Sequence, residues 1–154
     1  MAEDDLKASI SGSFDKFKPE IDLAIDEMTD LGVTVLSPEK GWLYKPPQRI
    51  YNPSDDKFRP LPSEKGIGPK EIEDEFLASV KKSDFLYVIN LTGYVGETVC
   101  LEIGYAIAKK VPVFLKEEIS PLIMESSEAW LEIKPKLKVC SIKDAINEVK
   151  SSRK

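Results

Sequence analysis

Between Thr98 and Ala108 the sequence runs Thr-Val-Cys-Leu-Glu-Ile-Gly-Tyr-Ala-Ile-Ala, and Glu102 is the only charged residue in it. On a helix its surface neighbours are Thr98, Val99, Tyr105 and Ala106, none of them a cation, so no local ion pair accounts for this carboxylate. A polar loop with two glycines, Gly93-Tyr94-Val95-Gly96-Glu97-Thr98, leads directly into the helix. Helical side chains lean toward the N-terminus, so Glu102 is expected to point toward that loop. Partial removal from water there raises a carboxyl's pKa, a state suited to a catalytic acid or nucleophile. The competing reading puts Glu102 on a solvent-facing strip, or pairs it with a Lys or Arg from elsewhere in the fold.

The 154 residues include no histidine. This excludes Ser-His and Cys-His nucleophile systems, imidazole as a near-neutral acid or base, and the usual His-containing zinc sites. Carboxylates become the first candidates for any catalysis, and no metal site is expected. Near the N-terminus, Gly12-Ser13-Phe14 follows an apolar stretch and offers a turn without bulk plus a hydroxyl at the start of a helix, where backbone N–H groups can face a polar ligand. Ser13 reads equally as an ordinary helix cap. The turn lacks the three-glycine dinucleotide fingerprint and the P-loop lysine, so no cofactor is expected.

The elements that must position these groups follow from hydrophobic periodicity. Ala8 to Gly12 reads as a strand, and Phe17, Ile21, Ala24, Ile25, Met28 and Leu31 recur at helical spacing before Gly32. Val33 to Leu36 is a second, β-branched strand. A helix from Lys70 opens with Glu71, Glu73, Asp74 and Glu75, carries Ile72, Phe76, Leu77 and Val80 on one side, and closes on Lys81 and Lys82, as the helix dipole favours. Phe85 to Ile89 is a nearly unbroken apolar strand. Thr98 to Lys110 reads as a helix, Val111 to Leu115 and Leu137 to Cys140 as strands, and Ile142 to Lys150 as a last helix. Apolar strands alternating with helices predict an α/β fold, a doubly wound five-stranded parallel sheet with helices on both faces. Ligands in such sheets lie outside the carboxyl ends of the strands where the strand order reverses.

Residues 37–69 break the pattern, holding Pro38, Pro46, Pro47, Pro53, Pro60, Pro62 and Pro69 of the chain's 11 prolines. No regular element is expected there, and loops of this length are commonly functional. The aromatics Trp42, Tyr44, Tyr51 and Phe58 favour a partly ordered lid. Trp42, Tyr44 and Tyr51 could stack on a base or form a satellite hydrophobic cluster. The phenols of Tyr94 and Tyr105 could orient a sugar or a carboxylate, with simple packing the equal competitor.

With 42% hydrophobic and 32% charged residues, the chain reads as one globular domain spanning 1–154. The net charge of -5 argues against a nucleic-acid partner, which needs concentrated positive charge. No segment approaches the roughly twenty apolar residues of a membrane span. The acidic start Met1-Ala2-Glu3-Asp4-Asp5 is unlike an export signal, and Cys100 and Cys140 look like small core residues, so a reducing, cytoplasmic setting is expected.

Taken together, Ile10-Ser11-Gly12-Ser13-Phe14, Ser83-Asp84, the loop from Gly93 to Thr98, Glu102-Ile103-Gly104-Tyr105-Ala106 and Lys110-Val111-Pro112-Val113 resemble the nucleoside 2-deoxyribosyltransferase-like superfamily, which includes the deoxynucleoside-monophosphate N-glycosidases. The likeness covers most of the chain outside residues 37–69, and the long glycine loop is closest to an uncharacterised branch. It implies a flavodoxin-like sheet, a nucleophilic glutamate falling on Glu102, and cleavage or transfer at the N-glycosidic bond of a nucleoside or nucleotide. It further implies substrate contacts from Gly12, Ser13, Phe14, Gly93, Tyr94, Gly96, Glu97 and Thr98, and a homo-oligomer. Family transferases carry an Asp on the helix before the third strand. Here Phe76 stands at that position, and Asp74 and Glu75 beside it are the candidates for the second acid. The alternatives are a non-catalytic nucleotide or nucleotide-sugar binding protein on the same fold, or an interaction domain that docks through its Pro-rich loop.

Overall fold

The structure, a computed structural model, describes residues 5–40 and 69–153, with the side chains of Phe14, Asp15 and Pro69 also left undescribed. Trp42, Tyr44, Tyr51 and Phe58 therefore lie outside the described residues. Five strands form one parallel sheet: β1 (Lys7–Gly12), β2 (Thr34–Ser37), β3 (Phe85–Ile89), β4 (Val113–Leu115) and β5 (Leu137–Val139), in the spatial order β2-β1-β3-β4-β5. The helices are α1 (Phe14–Asp30), α2 (Pro69–Lys82), α3 (Glu97–Ala108), α4 (Pro121–Met124), α5 (Glu128–Ile133) and α6 (Ile142–Ser152). This is the flavodoxin-like doubly wound α/β arrangement, with the strand order reversing between β1 and β3.

Alternation along the central strands explains how both faces are filled. Phe85, Tyr87 and Ile89 of β3 join Ala8 and Ile10 of β1 in a core with Ile21, Ala24, Ile25 and Met28 of α1 and Ile142, Ala145, Ile146 and Val149 of α6. Leu86 and Val88 point the other way and pack with Phe76 and Val80 of α2, Val99, Ile103 and Ala106 of α3, and Trp130 of α5. On that second face β1 presents Ser9 and Ser11, both fully buried. Ser83 donates its single proton to the Ser79 carbonyl at 2.8 Å, so Ser9 is the donor in the 2.8 Å contact between the Ser9 and Ser83 hydroxyls. Asp84 accepts from the Lys7 N–H at 2.8 Å and fixes where β3 enters beside β1.

Several boundaries differ from the sequence expectation for local reasons. β4 begins at Val113 because Pro112 has no N–H to give a ladder. α3 stops at Ala108, and Lys110 beyond it adopts φ 62°. α1 breaks at Phe17 (φ -123°, ψ 25°), two residues before Pro19, whose ring disfavours a helical path immediately upstream. The short helices α4 and α5 leave no clear signal in the sequence, since neither reaches two full turns of hydrophobic pattern.

Gly104 sits in the interior of α3 on its exposed side, and an added Cβ would meet nothing within 4 Å. Glycine there carries only its helix penalty, so Gly104→Ala is expected to raise stability by about 0.5–1 kcal/mol, read from a denaturant melt.

Candidate functional site

Glu102 lies on the second turn of α3 with its face to the sheet and is only 4% exposed. Its partners come from two other elements. The Ser11 hydroxyl, at the carboxyl end of β1, donates to Glu102 Oε1. The carboxyl group of Glu73 on α2 lies close enough to that of Glu102 for the two to interact. One oxygen of Glu73, Oε2, is buried without a donor. α2 packs against both α3 and β1, which is how side chains from residues 11, 73 and 102 meet.

The electrostatics follow from this packing. Burial pushes the Glu102 carboxyl well above its ordinary value, the hydrogen bond and negative charge of Glu73 push it further, and the Ser11 hydroxyl opposes them. Burial also raises Glu73, with Asp74 adding repulsion and the contact with Glu102 pulling it back. Glu102 is thus not on a solvent strip, and among the described residues it has no ion-pair partner. It is a buried carboxyl paired with another carboxyl.

The expected second acids are placed elsewhere. Asp74 is exposed and holds a salt bridge with Lys70 at 2.7 Å, and Glu75 is exposed beside a neighbouring cleft. Glu73 falls three residues before Phe76 and seven before Val80, on the stripe that α2 buries, whereas Asp74 and Glu75 are rotated away from it. That phase was readable from the apolar positions, and it separates Glu73 from its acidic neighbours. Ser11 could have been found from the period-two serines in a strand that is covered on both faces. The cleft, about 130 Å³, opens between Leu36, Ser37 and Glu39 at the end of β2 and Ile72, Glu75, Phe76 and Ser79 of α2.

The loop residues divide into those with a folding role and those at the rim. Ser13 caps α1, its Oγ accepting from the Lys16 N–H at 3.4 Å. A Cβ on Gly12 would sit 3.0 Å from the Ile89 carbonyl oxygen and 3.2 Å from Ile21 Cδ1, so Gly12 lets β1, β3 and α1 close together. Gly12→Ala is expected to lower stability by about 1–2 kcal/mol, measurable by chemical denaturation. Gly93 is buried with φ 77° beneath the backbone of Glu118 and Ser120. Tyr94 is 38% exposed, meets the Phe17 ring edge-on at 6.2 Å, and has the Lys16 ammonium 4.7 Å from its centroid. Gly96 is the N-cap of α3 without a side-chain cap, and Glu97 and Thr98 are exposed on the first turn. Phe14 begins α1, its side chain lying outside the described residues. The two turns that precede α1 and α3 therefore flank the ends of β1 and β3, with Tyr94 spanning toward α1 and the Ser11–Glu102–Glu73 cluster buried on the α2/α3 side.

Tyr105 is half-buried, with the Lys109 ammonium 5.5 Å from its ring centroid. Both cysteines are free and partly buried. Among the described residues no helix is long and apolar enough to cross a membrane, and no group of three or more acidic or cysteine side chains is arranged to hold a metal ion.

No family model matches the chain, and no curated protein matches it. Among solved structures it is similar to that of a conserved protein from Enterococcus faecalis V583, with a TM-score of 0.59 and 16% sequence identity, covering 96% of this chain and 99% of that one. At that identity the likeness speaks for the fold.

Proposed function

We propose that the protein cleaves or transfers at the N-glycosidic bond of a nucleoside or nucleotide, with Glu102 as the nucleophile. The observation that supports this most is the isolation of Glu102 in an apolar helix, at the carboxyl ends of the strands, where its partners among the described residues are a hydroxyl and a second carboxyl. A purely structural buried glutamate would be expected to hold a cation, because an uncompensated buried charge is costly. Attack by Glu102 on the anomeric carbon forms a glycosyl ester as the base departs, and water or another base then displaces Glu102. Two carboxyl groups and no imidazole suffice for this chemistry. The two free cysteines suit a reducing, cytoplasmic setting, and the resemblance to the nucleoside 2-deoxyribosyltransferase-like superfamily suggests a homo-oligomer acting on a small molecule.

The test is a panel of ribo- and deoxyribonucleosides and their 5′-phosphates, incubated with the protein with and without an acceptor base, and assayed for free or exchanged base. Release or exchange from at least one member is expected. The deep burial of Glu102 favours a second reading, a nucleotide or nucleotide-sugar binding protein without catalysis. That reading requires saturable binding of a panel member with no base released after prolonged incubation.

A further inference from the structure

We propose that Glu73 and Glu102 hold one proton between them, so that the nucleophile rests in its acid form and is armed only when that proton passes to Glu73. The inference deepens the glycosidic reading and rests on it for the word nucleophile; the sharing of the proton does not.

A contact between two carboxyl groups is a hydrogen bond only if one of them supplies a proton, because two carboxylates are acceptors alone and repel. Among the described residues, nothing around the pair offers another way to neutralise it. From β1 the partner is the uncharged Ser11 hydroxyl. On α2 the neighbouring Asp74 adds negative charge, and Lys70 is turned to Asp74 at 2.7 Å. α3 carries no Lys or Arg from Glu97 to Ala108, and Glu97, its other acid, is exposed. Glu102 is the more deeply buried of the two and so keeps the proton at rest. Glu73 Oε2, buried and without a donor, leaves Glu73 with an acceptor position to spare.

The proton count then closes through the reaction. Transfer from Glu102 to Glu73 leaves a carboxylate on Glu102, which forms its bond to the anomeric carbon as the carbon–nitrogen bond breaks. A sugar entering between the carboxyls moves them toward the roughly 5–5.5 Å separation of a retaining pair. The departing base collects the proton from Glu73. In hydrolysis, water gives its hydroxyl to the anomeric carbon and its proton to Glu73, the ester bond breaks, and the pair relaxes to its resting form.

Infrared difference spectra of the whole protein in deuterated buffer at neutral pH test the sharing without reference to activity. Wild type minus Glu102→Gln is expected to show the carbonyl band of one protonated carboxyl group. In Glu73→Gln that band is expected to survive only at lower pH, since a neutral amide no longer repels a Glu102 carboxylate. If Glu73→Gln does not fold, Ser11→Ala serves: loss of the hydroxyl donor is expected to carry the band to higher pH. Absence of the band in wild type, or a band indifferent to the variant that folds, overturns the proposal. Where a panel nucleoside releases base, wild-type activity is expected to fall at alkaline pH as the pair loses its one proton. Glu73→Gln is then expected to be about 10²–10⁴-fold slower and to lack that alkaline fall, and an unchanged profile overturns the proposal. The band without base release from any substrate would sink the glycosidic reading and leave the shared proton standing; base release without the band would do the reverse.

Discussion

Glu102→Gln is expected to reduce base release by about 10³-fold or more while leaving the protein folded and more resistant to unfolding at neutral pH. Glutamine has the shape of the protonated acid, so it can still accept from the Ser11 hydroxyl and offer an N–H to Glu73. What it lacks is the capacity to become a carboxylate, which is the form that attacks carbon. The stability effect follows from proton linkage. The fold raises the Glu102 carboxyl above its unfolded value of about 4.3, so between those two values the native state binds a proton that the unfolded chain does not. Wild-type stability is therefore fully present below the unfolded value and is lost as pH rises through the folded one. The variant has no such titration, and its advantage in melting temperature should widen as pH rises from about 4 toward 8. Melts across that range, paired with base-release rates, check both halves. Turnover equal to wild type would remove Glu102 from the chemistry, and a variant less stable at every pH would contradict its resting as an acid.

Gly93→Ala is expected to destabilise the protein by about 3 kcal/mol, although no contact of Gly93 is visible in the sequence. An added Cβ would lie 2.6 Å from the Ser120 nitrogen and 2.7 Å from the Glu118 oxygen, both backbone atoms that cannot swing aside. The residue also has φ 77°, where any side chain adds strain of about 1–2 kcal/mol. The Gly93 carbonyl accepts from the Ser120 N–H at 2.9 Å, and the neighbouring Asn90 side chain bonds both the N–H and the carbonyl of Glu117. Moving Gly93 therefore strains the whole junction between the β3–α3 and β4–α4 loops. At roughly 2–4 °C per kcal/mol for a chain of this size, the melting temperature should drop by about 6–12 °C. A change within a degree of wild type would show that the junction yields. Gly104→Ala, from the same stretch of sequence, is expected to act in the opposite direction, so the two variants form an internal control.

The contrast between these glycines shows where the sequence stops speaking. Gly93 belongs to the loop expected to touch substrate, yet its space is taken by the backbone between Glu118 and Ser120. Gly104, two residues after Glu102, is exposed with open space above it. Neither environment is local to the residue. The same holds for the carboxyl beside Glu102: Asp74 and Glu75 are the expected candidates by sequence position, and the turn of α2 against α3 brings Glu73 there instead.

By itself the sequence determined the five strands, the long helices α1, α2, α3 and α6 and the class of fold, because buried parallel strands and amphipathic helices leave period and length in the chain. It also marked Glu102, since a single charge in an apolar helix stands out whatever the fold. The tertiary structure decided what Glu102 meets. Ser11 is 91 residues away in the chain and joins it only because β1 lies centrally in the sheet and presents its serines to the α2/α3 face. Glu73 joins it through the rotation of α2 about its own axis, which is set by burying Phe76 and Val80. A lone carboxylate is a property of sequence; a carboxyl pair with one proton is a property of packing, because only contact forbids both from ionising.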